Sequence, residues 1–199
     1  RTVLIGTHCA YASSLRACVT AYRNAIGSTE WIPTGQKILF PASFDRTKLP
    51  ISLSNSGTTL AVGILGDGND INFKGEVEVY SLSNNIWSKV GETIKGERIG
   101  DNSGAAVSLN SKGDVIAIGG PNNDDAFDAA GHVRIYQYTE NEWTKVGTDI
   151  DGIAAFDQSG SSVSLNGTGS RVSIGAEGSN LSGTDRGLVK VHQLAINAS

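Results

Sequence analysis

Short stretches in which apolar and polar residues alternate recur along this chain at a fixed step. Gly131-His-Val-Arg-Ile-Tyr136 sets valine and isoleucine against charged neighbours, and Gly75-Glu-Val-Glu-Val-Tyr80 and Gly187-Leu-Val-Lys-Val-His192 repeat the pattern. A period of two is that of a strand with one wet face. Before each lies a mostly apolar run, Leu60-Ala-Val-Gly63, Val115-Ile-Ala-Ile-Gly119 or Val172-Ser-Ile-Gly175, as expected of a strand covered on both faces. A shorter alternating stretch precedes that, as in Ala106-Val-Ser-Leu109 and Ser162-Val-Ser-Leu165. A further strand starts at a tryptophan, as in Trp87-Ser-Lys-Val-Gly-Glu-Thr-Ile94. No segment longer than a few residues carries a helical period.

The register is strict. Trp31, Trp87 and Trp143 stand 56 residues apart, as do Gly35, Gly91 and Gly147, and Ile38, Ile94 and Ile150. Three more glycine columns hold the same step: Gly57, Gly113 and Gly169; Gly63, Gly119 and Gly175; Gly75, Gly131 and Gly187. Asn55-Ser-Gly57, Asn110-Ser-Lys-Gly113 and Asn166-Gly-Thr-Gly169 read as hairpin turns rich in residues that tolerate positive φ. Asp101-Asn-Ser-Gly104 and Asp157-Gln-Ser-Gly160 read as Asx-type turns, which Phe44–Pro50 replaces in the first full unit. Four-stranded units at a constant period cannot bury both faces alone and must pack on one another. The expected fold class is all-β, a β-propeller of four-stranded blades with a 56-residue repeat. The units are 1–30, holding only the last two strands of a blade, then 31–86, 87–142 and 143–199. That makes about 3.5 blades, short of the roughly four to eight of closed rings. Such a chain closes irregularly or belongs to a larger ring, and two such halves would make about seven blades. An exposed strand edge at an open end favours a fragment or completion by a partner.

Composition sharpens this in a few places. Glycine is frequent, 25 of 199 residues, while proline is scarce at 4, which suits many tight turns and no collagen-like or linker character. A net charge of −4 offers nothing against phosphate repulsion, so neither nucleic acid nor an anionic membrane surface is an expected partner. No apolar run is long enough for membrane insertion as a spanning helix. A start at Arg1 without any methionine reads as a processed mature chain or an excised fragment.

Candidate chemistry collects in the connection between the apolar run and the strand after it. That connection carries Asp67, Asn69 and Asp70 in one unit, and Asn122, Asn123, Asp124, Asp125 and Asp128 in the next. Glu177, Asn180 and Asp185 occupy it in the third. Variable polar loops on a rigid scaffold are where ligands bind, though solvated acidic turns have the same composition. The spacing at 122–128 fits no standard calcium loop, and no metal or cofactor is expected. The tryptophans suit packing between blades better than sugar stacking. His8, His132 and His192 are scattered. No nucleophile motif or phosphate loop is present, so no catalytic residue is assigned and the chain is not expected to be an enzyme. Asn166, Asn180 and Asn197 each open an Asn-x-Ser/Thr sequon, a candidate for glycosylation in a secreting eukaryote. Cys9 and Cys18 are either a disulfide, in an oxidising compartment, or two thiols in a reducing one.

These residues resemble the FG-GAP-like repeats of surface proteins and, more distantly, integrin α-subunit propellers. Ser103-Gly104 and Ser159-Gly160 look like the Phe-Gly position, and Gly119-Gly-Pro121 and Gly175-Ala-Glu177 like the Gly-Ala-Pro position. The likeness covers essentially the whole chain. The calcium loop of the integrin type has no counterpart, because Asn110–Asp114 and Asn166–Ser170 lack alternating carboxylates. The resemblance implies an extracellular or cell-surface, non-catalytic adhesion module that binds protein or glycan through its inter-strand loops. One alternative is a structural subunit whose propeller is completed by another copy or a larger assembly. A second is a polysaccharide-active enzyme on a propeller scaffold.

Overall fold

The computed structural model of the chain describes residues 2–11, 14–25, 27–40, 49–66, 72–180 and 187–196, with side chains from residue 17 onward. Its strands form four antiparallel sheets, in chain order. The first holds β1 (Thr2–Tyr11), β2 (Ser14–Arg23) and β3 (Ile32–Leu39). The second holds β4 (Ile51–Leu53), β5 (Thr59–Ile64), β6 (Glu76–Ser83), β7 (Ile86–Lys89) and β8 (Ile94–Lys95). The third repeats it with β9 (Ala106–Leu109), β10 (Val115–Gly120), β11 (His132–Thr139), β12 (Glu142–Lys145) and β13 (Ile150–Asp151). The fourth has β14 (Ser159–Leu165), β15 (Arg171–Ala176) and β16 (Leu188–Gln193). No helix long and apolar enough to cross a membrane occurs among the described residues.

Two features refine the sequence reading. The tryptophan strand is not continuous: β7 and β8 both pair with β6, and β12 and β13 both pair with β11. The break falls where Val90 N donates to Val79 O at 2.8 Å and Gly91 takes a φ of 69°. The Trp143 ring of the next sheet lies over that glycine, with Cδ1 only 2.8 Å from where a Cβ would stand. Second, each full sheet takes its outermost strand from the sequence unit that follows it. Trp87 opens the unit 87–142, yet it lies on the second sheet through β7.

The core consists of layers between successive sheets. Ala17, Val19, Ala21 and Ile38 pack against Leu60, Val62 and Trp87. Val77, Val79 and Ile94 pack against Val107, Leu109, Ile116 and Ile118, and Val133 and Ile135 against Val172 and Ile174. β5 and β10 therefore feed two layers each, which is why their sequences are apolar throughout. Recurring bonds pin the joints. Trp87 Nε1 donates to Thr34 O at 3.3 Å, and Trp143 Nε1 to Val90 O at 3.0 Å. Leu109 N donates to Ser52 Oγ and Leu165 N to Ser108 Oγ, each at 2.9 Å.

Glycine is required where backbones of neighbouring sheets touch. A Cβ on Gly63 would collide with the carbonyl oxygen of Gly104, and one on Gly119 with that of Gly160. Overpacking of this kind costs about 1–3 kcal/mol, more when backbone cannot move aside. Cys18 is fully buried and disulfide-bonded. Its strand partner is Thr7, two residues from Cys9, whose side chain lies outside those described.

Candidate functional site

Three connections meet at one end of the second and third sheets: residues 96–105 after β8, 121–131 after β10 and 152–158 after β13. Backbone bonds fasten them together. Asn122 N donates to Asp101 O at 3.3 Å, Phe156 N to Asp128 O at 2.7 Å and Gln158 N to Ala129 O at 3.1 Å. Two buried aspartates shape the turns that enter β9 and β14. Asp157 Oδ2 accepts from Ile153 N and Ala154 N at 3.1 and 3.0 Å, and Asp101 Oδ2 from Arg98 N at 3.0 Å. The carboxylates thus bond backwards along the chain, and each turn runs on through a Ser-Gly pair to the next strand.

The polar cluster at 122–128 is largely engaged in bonds within the protein, with Asn123 buried and Asp124 and Asp125 still exposed. Asn123 is buried, its Nδ2 donating to Asp101 Oδ2 at 3.2 Å and to Asp125 Oδ2 at 3.3 Å. Asp125 pairs with Arg98 at 2.6 Å, and Asp124 Oδ1 accepts from Ala129 N, also at 2.6 Å. Asn123, Asp124 and Asp125 therefore hold the loop to its neighbours. Asp128 is exposed at the loop's outer end. Asp67, Asn69, Asp70, Asp185 and Asn197 lie outside the described residues. Asn180 is exposed, while Asn166 folds its amide into its own turn, donating to Thr168 Oγ1 at 3.1 Å and Ser170 Oγ at 3.2 Å.

What the sequence reading missed is apolar. Phe156 is 64% exposed, Ile99 54%, Phe127 52% and Ile153 46%, all on these three connections. Phe156 also holds a φ of 64°. A bulky residue in that left-handed region is a true outlier, costing roughly 1–2 kcal/mol. The matching place in the preceding turn is Gly100, with a φ of 90°. One turn thus uses the residue that suits the conformation, and its twin carries an aromatic ring out into solvent at an energetic cost. Aligning the two turns in the sequence would have exposed this exchange.

Beneath this face lies a charged cluster. Arg134 is 3% exposed and donates to Asp149 Oδ2 through Nε at 3.1 Å and Nη2 at 3.0 Å, with Glu97 also in contact. Lys145 pairs with the other Asp149 oxygen, and His132 Nδ1 stands 3.6 Å from Oδ2. Burial alone would raise the Asp149 carboxyl, but bonds and charge from Lys145 and Arg134 hold it below the usual carboxylate range. Burial, reinforced by Arg134, pushes the His132 imidazole down against the pull of Asp149, Asp101 and Asp151. One ligand atom from each of His132, Asp149 and Asp151 would fit within 4.8 Å. The donor set does not suit a cation, because Asp149 already faces a guanidinium and an ammonium. The cluster is an ion-pair network that ties the third sheet to the connection leaving the second.

No family model and no curated protein matches the chain, so the FG-GAP-like resemblance rests on the residues quoted for it alone. Among solved structures, a Bacteroides uniformis protein proposed to be a 6-phosphogluconolactonase superposes with a TM-score of 0.56. The superposition covers 90% of this chain and 46% of that one, at 11% identity. The fold is propeller-like. At that identity the likeness speaks for the fold alone, and the chain spans about half the length of the structure it matches. U3-55K aligns at a TM-score of 0.46 and 14% identity, over 90% of this chain and 64% of its own.

Proposed function

We propose that this chain is a non-catalytic interaction module that holds a protein partner on the face built by residues 96–105, 121–131 and 152–158. The observation that carries the reading is Phe156, exposed and held in a conformation its twin turn gives to glycine. Backbone strain kept at the surface is rarely neutral, because any residue free to drift there would relax to glycine or asparagine. With Phe127, Ile99 and Ile153 it offers apolar anchors around which a protein interface forms. Glycan binding is the less favoured reading. The carboxylates and amide that would select sugar hydroxyls, on Asn123, Asp124 and Asp125, already bond within the protein.

The sheets act, in this reading, as blades repeating every 56 residues. The recurring Trp Nε1 and Ser Oγ bonds between neighbours support that repeat. The disulfide at Cys18 favours an oxidising, extracellular setting. The test is affinity capture from a secreted-protein fraction, with the Phe127→Ser/Phe156→Ser double variant alongside and a glycan array in parallel. A protein retained by the native chain and lost from the variant, with a silent array, supports the proposal. Equal retention by both, or one sugar class bound, defeats it.

A further inference from the structure

The two tryptophan joints are built to one plan, and one of them is left unsealed. Leu82 N donates inward to Thr58 O and Tyr138 N to Asp114 O, each at 2.8 Å. Trp87 and Trp143 stand opposite those residues, so each turns its own N–H and C=O to the outer edge of β7 or β12. At the first joint that edge is closed from the preceding sheet. The Gln36 carboxamide takes both groups of Trp87: Oε1 accepts from Trp87 N at 2.8 Å and Nε2 donates to Trp87 O at 2.7 Å. Asn85 adds a second clamp, its Oδ1 accepting from Gly35 N at 2.8 Å and from Thr34 Oγ1 at 3.1 Å. Trp87 is left 4% exposed. At the second joint, 56 residues on, Glu92 stands in place of Gln36 and Asn141 in place of Asn85. An ionised carboxylate only accepts, so Glu92 has nothing to give Trp143 O. Glu92 is exposed, and among the described residues neither it nor Asn141 bonds across the joint. Trp143 is only partly buried, and its N–H and C=O have no partner among the described residues. A cavity of about 360 Å³ opens beside them, lined by Glu92, Thr93, Lys95, Tyr136, Glu142 and Trp143. Both sheets of this joint pack against a further sheet on their other side, so the opening follows from an exchange inside the repeat.

We infer that this cavity binds a primary carboxamide, the side chain of a glutamine on a partner polypeptide. The chain's own first joint is the template, because there a carboxamide fills the same seat with both of its bonds made. The cavity offers one donor and one acceptor side by side, with Trp143 and Tyr136 beside them as an apolar wall. A guanidinium or ammonium group would find Glu92 and Glu142 but would leave Trp143 N unmet, since neither cation accepts a hydrogen bond. A carboxylate would leave Trp143 O unmet and would be repelled by Glu92 and Glu142. A single trans amide, such as that of an acetamido sugar, points its N–H and C=O in opposite directions and cannot meet both. The site lies on the outer strands, apart from the three connections of the loop face, and it stands or falls independently of the reading given to that face.

The probe is N-acetyl-glutamine N-methylamide, titrated into the isotope-labelled full chain and followed by amide and indole shifts. Saturable shifts at Trp143 are expected, with a Kd between about 1 and 50 mM for a single anchoring side chain. The alanine, glutamate and arginine analogues, which share its backbone, should bind at least about fivefold more weakly. Glu92→Gln supplies the carboxamide from within the chain. It should abolish the response and slow hydrogen exchange at Trp143 N by about tenfold. Gln36→Glu should do the reverse, opening the first seat so that the same probe shifts Trp87. Both changes are at exposed positions, and circular dichroism checks that each variant keeps the fold. No saturable shift at about 50 mM overturns the inference. So does an equal or stronger response to any of the other analogues or to N-acetylglucosamine, or a response that survives Glu92→Gln.

Discussion

The second and third sheets are one design made twice, but acidic residues on β6 give way to basic ones on β11. Glu76 and Glu78 lie on β6, facing Lys95 and Lys89 at 3.8 and 3.3 Å. The corresponding places on β11 hold His132 and Arg134, facing Asp151 on β13 and Asp149 beside it. Only Glu76 and Lys95 trade places outright, for His132 and Asp151, whereas Lys145 keeps the sign of Lys89 and Arg134 is met by Asp149 at the place of Thr93. Burial makes the difference in consequence. Lys95 and Lys89 are at the surface, where such pairs are worth roughly 0–1 kcal/mol. Arg134 is almost fully covered, so its charge depends on its partners.

The largest test of that contrast is Asp149→Ala. It strips the buried Arg134 of its main carboxylate, leaving Glu97 and Tyr136 beside it, and should cost about 3–5 kcal/mol in urea unfolding. A loss below about 1 kcal/mol would mean that the guanidinium is solvated and the two sheets do not differ. Acid should separate them next. The His132 imidazole is pushed down in the fold, so stability is whole above the unfolded value of about 6.5 and drains away as pH falls towards the folded one. Asp149, also depressed, adds a second loss in the carboxylate range. Thermal melts of the native chain should therefore weaken on acidification from near neutrality, and His132→Gln should remove the upper limb while leaving the lower. A flat profile above the carboxylate range would refute this.

The twin turns sharpen the comparison further. Phe156→Gly makes the second turn like the first and should leave stability unchanged or raise it by up to about 1 kcal/mol, since relief at positive φ offsets glycine's extra chain entropy. Its effect should appear in partner capture, which the substitution reduces. A destabilisation beyond about 1 kcal/mol would make Phe156 a packing residue. Smallest of all, Lys95→Ala on the second sheet should shift stability by less than about 0.5 kcal/mol in the same unfolding assay.

Much of the fold was legible in the sequence, for a physical reason. Strand periodicity and turn chemistry act locally, and the tryptophan and glycine columns repeat because the same contact recurs. The phase of the repeat was not legible. A period says that Trp87 matches Trp143, and it does not say that Trp87 lies on the sheet of the residues before it. The loop at 122–128 shows the same limit. Its carboxylates read as ligand-facing, yet Arg98 on the preceding connection and Ala129 N within the loop itself bond two of them. Composition lists acceptors and is silent about which donors fold back to meet them. Phe156 was readable in principle, because Gly100 stands at the same place in the register.

The tryptophan bond has a last consequence. Trp87 Nε1 always looks back, to Thr34 on the sheet before it, and Trp143 Nε1 looks back to Val90. The two surfaces of these two joints are therefore different, one offering an indole and the other a carbonyl. Such a joint is heterologous, and no two-fold axis can pass through it. An array built this way has a direction, like a chain of hooks and eyes. It can end by closing into a ring or by running on, but it cannot be capped by meeting its own mirror-facing end.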